Sequence, residues 1–204
     1  MAFGSPELSL GGVRILPGYL SGDDQTALVE DLRAVARAAP FFQPVTPGGK
    51  RMRVRMTSAG RFGWVSDAHG YRYAPHHPSG AEWPPIPDSI LRIWAGITGL
   101  KRVPDCCLIN FYDADARKGL HQDRDEADFT WPVVSISLGD DALFRVGGRL
   151  RSDSTQSIWL HSGDVAVLQD EARLSFHGID RLRVGTSRLL PQGGRLNVTL
   201  RVVA

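Results

Sequence analysis

The chain has 204 residues, of which 42% are hydrophobic and 23% charged, with a formal net charge of +2 and a pI near 8.7. That balance fits an ordinary soluble globular protein, and its mild basicity permits a polyanionic partner without demanding one. No apolar stretch approaches the roughly 20 residues that a membrane-spanning helix needs, and Met1–Pro6 shows no basic segment followed by an apolar run, so neither a membrane anchor nor a secretory leader is expected.

There are 21 Arg and 3 Lys. Arg suits bidentate contacts to phosphate and carboxylate, although a coding bias explains the same surplus. The two cysteines, Cys106 and Cys107, are adjacent, so in a strand they point to opposite faces. Neither a disulfide between them nor a CxxC metal knuckle is expected, and free thiols suit a reducing cytoplasm.

In chain order, Val13–Leu16 reads as a short strand closed by Pro17-Gly18. Ser21, with Asp24 three residues on, offers a capping box for a helix over about Asp23–Ala38. Ala27, Leu28, Leu32, Val35 and Ala36 form its inward face, and Pro40 stops it. Pro44 to Lys50 reads as a turn. Arg51–Met56 alternates strictly and predicts a strand, with Met52, Val54 and Met56 on one face and Arg51, Arg53 and Arg55 on the other. That arginine ridge is either a solvated strand face or the edge of a nucleotide groove.

Residues 57 to 87 read as a long irregular loop rich in aromatics and proline, a length that in a compact domain usually serves function. Trp64 and Tyr71 could sandwich a planar base or simply anchor the loop. His76-His77 reads as a surface pair. A second helix is expected from Asp88 or Pro87 to about Thr98, closed by Gly99. Strands then follow over 106–112, 133–138, 143–146, 157–160, 165–168, 173–177 and 195–202. Short strands with Gly and Asp turns suggest a sandwich or jelly roll. There is no internal repeat or low-complexity linker, so a single domain is expected over 1–204.

Two stretches carry the chemistry. In His121-Gln122-Asp123, an extended backbone would put an imidazole and a carboxylate on one face, two corners of the two-histidine, one-carboxylate site that holds non-haem Fe(II). His177 is the best candidate for the third corner. In Arg195–Arg201, the residues Arg195, Asn197, Thr199 and Arg201 share one face, and Leu196, Val198 and Leu200 the other. Two arginines on one strand face could bind a dianion, or could simply be solvated. An iron site beside a dicarboxylate site suggests 2-oxoglutarate.

These stretches, in order with Met56-Thr57, Gly63-Trp64, Gly70–Pro75, Leu108–Tyr112, His121–Glu126, Pro132–Gly139, Gly163-Asp164-Val165 and Arg173–Ile179, resemble the AlkB family of Fe(II)- and 2-oxoglutarate-dependent dioxygenases. The resemblance covers roughly residues 50 to 202. It implies a mainly β fold with flanking helices: a double-stranded β-helix, or jelly roll, over about 101–204, and an N-terminal α/β nucleotide-recognition lid within about 1–100.

The same resemblance implies His121, Asp123 and His177 as iron ligands. Arg195, Asn197 and Tyr112 would hold the far carboxylate of 2-oxoglutarate, with Arg201 and Asn110 near its 1-carboxylate. Met56, Trp64, Tyr71, Tyr73, Asp125 and Arg151 would lie on the substrate side.

The implied activity consumes O2 and 2-oxoglutarate and removes N-methyl groups from bases such as 1-methyladenine and 3-methylcytosine, with release of formaldehyde, succinate and CO2. Asp125 and Trp64 would favour a cationic base. The base must leave the stack, so single-stranded or flipped nucleic acid is expected, DNA with RNA also open, and a monomer acting in the cytoplasm. Two other readings stay open: a same-fold oxygenase acting on a protein or small molecule, and a non-catalytic jelly-roll binding module. The family pattern carries a Trp between the Gly-Asp turn and the distal His. This chain has Val167-Leu168-Gln169 there, which spares the cofactor frame and alters the pocket.

Overall fold

The computed structural model describes residues 6–204. The chain opens with a hairpin, β1 (Leu8–Leu10) and β2 (Val13–Leu16), and enters helix α1 (Gly22–Ala38) through the expected capping box: Ser21 accepts from the Asp24 amide, and the Asp24 carboxylate accepts from the Ser21 amide. Helix α2 (Asp88–Thr98) ends at Gly99, whose left-handed backbone (φ 65°) closes the last turn.

Between the helices the expectation of an irregular loop is overturned. Residues 55–74 form three strands, β3 (Arg55–Gly60), β4 (Gly63–Asp67) and β5 (Gly70–Ala74), and the last two make a separate hairpin with Trp64 opposite Tyr73. The strand expected over Arg51–Met56 begins only at Arg55. Arg51 makes a lone bridge to Val45 instead, because the chain turns through Thr46–Lys50 and cannot yet reach a neighbouring strand. The two-faced pattern survives: Val54 and Met56 are buried, whereas Arg51, Arg53 and Arg55 are exposed. His77 is not a surface residue. It is buried between Phe42 and Trp83 and hydrogen-bonded to Pro40 O and Ser79.

The rest of the chain feeds two sheets in turn. β6 (Cys106–Tyr112), β8 (Val133–Gly139), β11 (Val165–Leu168) and β13 (Arg195–Arg201) enter a seven-stranded sheet, ordered β1-β2-β11-β8-β13-β6-β3. β7 (Lys118–His121), β9 (Asp141–Val146), β10 (Gln156–Leu160) and β12 (His177–Arg183) form a four-stranded sheet, ordered β10-β9-β12-β7. This alternation of strands between facing sheets is the jelly roll. Three N-terminal strands also pair into its larger sheet, so the first hundred residues contribute to the frame. The strand expected over 173–177 is a 3-10 turn (Asp170–Leu174), and pairing starts at His177.

Two apolar layers result. Leu28, Leu32, Val35, Ile90 and Trp94 of the helices pack on the outer face of the large sheet, against Cys107, Ile109, Ile136, Val198 and Leu200. Cys106, Leu108, Phe144, Leu168, Ile179 and Leu182 fill the space between the sheets. Cys106 and Cys107 thus fall into different layers, and both are free and buried.

Candidate metal centre and its two cavities

The site grows out of a close approach between β7 and β12. Their register sets His177 opposite His121 and Ile179 opposite Lys118, with an irregularity at Gly178. A Cβ on Gly178 would stand 2.5 Å from Lys118 O, so the approach needs a residue without one. The strand ends at His121, and Asp123 lies just beyond it, so the carboxylate does not reach the imidazole by strand alternation as expected.

A loop clamp brings it there instead. Arg173, buried, donates from Nη1 to Asp123 O (2.8 Å) and from Nε to Trp131 O (2.9 Å). The Gln122 amide donates to Leu174 O (2.6 Å). One ligand atom from each of His121, Asp123 and His177 then falls within 4.8 Å of the others.

The hydrogen bonds fix the state of both imidazoles. His121 Nδ1 lies 3.0 Å from Gly119 O, and His177 Nδ1 lies 3.0 Å from Ser175 O. A carbonyl oxygen only accepts, so each Nδ1 carries the proton and each Nε2 keeps its lone pair for a metal. Those Nε2 atoms each stand 3.7 Å from an oxygen of Asp123. Burial, helped by Lys118 and His177, pushes His121 well below the usual imidazole range, and burial lowers His177 too. Burial alone would raise the Asp123 carboxyl, but Arg201, His177 and His121 outweigh it and hold it well below the usual carboxylate range. Two neutral imidazoles and one carboxylate are the donor set of a non-haem Fe(II) site with open positions.

Two cavities meet at these ligands. One is a chamber between the sheets, walled by Tyr112, Leu168, Ile179, Arg195, Asn197 and Arg201 with the three ligands. Arg195 is 1% exposed, donates from Nη2 to Ser137 Oγ (3.0 Å) and lies over the Tyr112 ring, yet its Nε and Nη1 have no partner. Burial pushes it down to about 10, so it stays protonated at neutral pH as a buried cation with unused donors. Such a group awaits an anion. Asn197 donates to Ser135 Oγ (2.7 Å). Asn110, buried in the register pair with Asn197, has an unpartnered Oδ1 but lines neither cavity. A dicarboxylate that reaches from Arg195 towards the ligands fits this chamber.

At the ligand end, Arg201 is already paired. It lies 2.8 Å from Asp123 and 3.2 Å from Glu126, and Glu126 also accepts from Tyr73 (2.6 Å) and pairs with Arg173 (3.2 Å). Glu126, Arg173, Lys118, Ser135 and Ser137 were not expected from the sequence. The serines had a visible signal, since Ser135 and Ser137 share one face of a strand whose other face is Val134, Ile136 and Leu138. Arg173 had none beyond its place near the distal histidine.

The second cavity is an open cleft on the other side of the ligands. It is lined by all six residues expected on the substrate side, Met56, Trp64, Tyr71, Tyr73, Asp125 and Arg151, together with Arg51 and Arg53. Trp64 Nε1 donates to Asp125 (3.0 Å). Trp64 and Tyr71 do not stand apart for a base between them. Their rings stack on each other, 5.5 Å between centroids and 15° from parallel, because the hairpin puts both side chains on one face. Leu168, where the family pattern has Trp, is on the wall of the chamber rather than the cleft.

The comparisons agree with this geometry. The family model of the 2OG-Fe(II) oxygenase superfamily matches residues 12–201. The chain is 52% identical over 93% of its length to the alpha-ketoglutarate-dependent dioxygenase AlkB homolog of Caulobacter vibrioides, covering 87% of that protein. It is 42% identical over 78% of its length to the alpha-ketoglutarate-dependent dioxygenase AlkB of Escherichia coli, covering 76% of it. The solved structure of OsALKBH1 superposes with a TM-score of 0.79 at 29% identity, over 97% of this chain and 100% of that one. The chain therefore belongs to the 2OG-Fe(II) oxygenase superfamily and, within it, to the AlkB dioxygenases, which work with Fe(II), 2-oxoglutarate and O2.

Proposed function

We propose that this protein removes alkyl groups from N-alkylated bases of the 1-methyladenine and 3-methylcytosine type in nucleic acid, a direct reversal of alkylation damage. The observation that carries the reading is that two of the ligand residues, His121 and Asp123, wall both a chamber with an unpaired cation, Arg195, and an open cleft lined by Trp64, Tyr71, Tyr73 and Asp125. One cavity suits a dicarboxylate and the other a flat, positively charged ring.

In this reading His121, Asp123 and His177 hold Fe(II), which supplies the oxidising chemistry when bound with 2-oxoglutarate and O2. The chain's own residues do the rest. Arg195, Asn197 and Tyr112 seat the far carboxylate, and Arg201 borders the metal end, while Asn110 lies behind Asn197 outside both cavities. Asp125, held by Trp64, presents negative charge to the ring, and the stack of half-buried Trp64 on exposed Tyr71 offers it an aromatic face. A base inside a duplex cannot reach the ligands, so the substrate is a single-stranded or flipped base, with β3–β5 acting as the nucleotide-recognition lid. Arg51, Arg53 and Arg151 line the cleft as phosphate-binding groups, with Arg55 beside them over the Phe111 ring. Domain organisation is a single unit, and two free buried thiols fit a monomer working in the reducing cytoplasm.

The test is a panel of methylated DNA and RNA oligonucleotides, incubated with Fe(II), 2-oxoglutarate and ascorbate and read by mass spectrometry. The expected result is loss of the methyl group with formaldehyde release by the native protein and none by His177→Ala. Native protein that leaves both 1-methyladenine and 3-methylcytosine intact while turning over 2-oxoglutarate removes this substrate assignment. The panel also separates DNA from RNA.

A further inference from the structure

The mouth of the chamber carries a cation that the sequence pattern did not mark. Lys118 is the first residue of β7, opposite Ile179 and three residues before His121. It lines both the chamber and the cleft, a position otherwise held, among the described residues, by His121, Asp123 and Arg201. Among the described residues its ammonium has no hydrogen-bond or ion-pair partner. Arg201, by contrast, is spent on Asp123 and Glu126. Arg195 stands at the opposite end of β13 from Arg201. The chamber thus offers two uncommitted cations, one at the far end and one at the metal end, and a dianion with a carboxylate at each end calls for a cation at both.

We propose that Lys118 is a further binding residue for 2-oxoglutarate, and that its ammonium donates to the carboxylate at the metal end. This rests on the function proposed above. The competing role, binding a phosphate, is less suited to a half-buried group at the back of the cleft. Arg51, Arg53 and Arg124 already line the cleft as exposed cations. Charge balance points the same way. A bare ammonium beside the ligands would repel a cationic base, whereas one paired to a carboxylate leaves Asp125 to attract it.

The experiment compares native protein, Lys118→Met and Lys118→Arg, each loaded with inert Mn(II). 2-Oxoglutarate binding is read by calorimetry. In parallel, the visible charge-transfer absorption of the anaerobic Fe(II)–2-oxoglutarate complex is recorded. Lys118→Met is expected to bind Mn(II) as the native protein does, to weaken 2-oxoglutarate by roughly tenfold, as for removal of one charge-assisted hydrogen bond, and to shift the absorption band. Lys118→Arg recovers most of the affinity.

Unchanged affinity and band in Lys118→Met overturn the proposal, and a loss confined to single-stranded DNA affinity assigns the ammonium to phosphate instead. Should Lys118→Met fail to fold, Lys118→Gln takes its place with the same two readouts: weakened 2-oxoglutarate binding with Mn(II) still bound supports the proposal, and unchanged affinity and band overturn it. Native protein that binds no 2-oxoglutarate would instead be a failure of the proposed function, and is distinguishable on that ground.

Discussion

Two stretches of this chain alternate polar positions, arginines among them, with apolar residues, and they meet opposite fates. In Arg51–Met56 the arginines are exposed and the apolar residues are buried or half-buried, the usual arrangement of a one-sided sheet edge. In Arg195–Arg201 all seven residues are buried. Leu196, Val198 and Leu200 lie under the helices, while Arg195, Asn197, Thr199 and Arg201 point between the sheets. The same alternation therefore produces a wet basic ridge at the edge and a dry polar wall at the centre. What differs is the number of layers stacked on the strand. A second comparison sits inside β13. Arg201 is matched by Asp123 and Glu126, so it belongs to the frame. Arg195 has no acidic partner within hydrogen-bonding reach and two idle donors, so in the proposed function it is left to meet a ligand.

The largest expected effect breaks the matched pair. Arg201→Met leaves the buried Asp123 carboxylate without its guanidinium partner, whereas Glu126 keeps Arg173 and Tyr73, and removal of one partner of a buried pair costs about 3–5 kcal/mol. Urea denaturation should show that loss, and Mn(II) affinity should fall because Asp123 loses the partner that keeps it ionised. Arg195→Met tests the other half of the comparison. Its removal leaves no buried carboxylate unpaired, so stability without ligand should hold or rise slightly. 2-Oxoglutarate affinity should fall about 10- to 100-fold, the weight of a hydrogen bond to a charged group. If Arg195→Met unfolds as readily as Arg201→Met, the division between frame and ligand residues is wrong.

The smallest effect concerns the exposed ridge. With Arg51, Arg53 and Arg55 all changed to Gln, stability should stay within about 0.5 kcal/mol of native. Affinity for single-stranded DNA should fall, and its logarithmic salt dependence should flatten by about 0.7 for each phosphate no longer neutralised. A salt dependence equal to that of the native protein would place the ridge outside the nucleic-acid path.

Much of the site was legible in the sequence because its chemistry is local. His121, Asp123 and His177 are the expected triad, and the residues named for the substrate side all line the cleft. The capping box at Ser21 and the left-handed stop at Gly99 were equally readable, since each depends on a few neighbouring residues. The hairpin over 63–74 was not. Its strands are five residues each, interrupted by Gly and exposed on β5, so neither period nor hydrophobicity marked them. Trp64 and Tyr71 could be named but not arranged, because their stacking follows from hairpin register. Arg173 and Glu126 were invisible for a related reason: their partners lie far off in the chain, up to its last strand.

By itself the sequence determined which residues share a face, which donors can bind a metal, and that one strand carries an arginine at each end of the same face. These follow from backbone geometry and side-chain chemistry alone. Only the tertiary structure decided which face of β13 is the interior, which arginine is already neutralised, and that Lys118 stands where the two cavities meet. Those are properties of layers and of charges brought together across the fold, and burial sets their energies only once the sheets have closed.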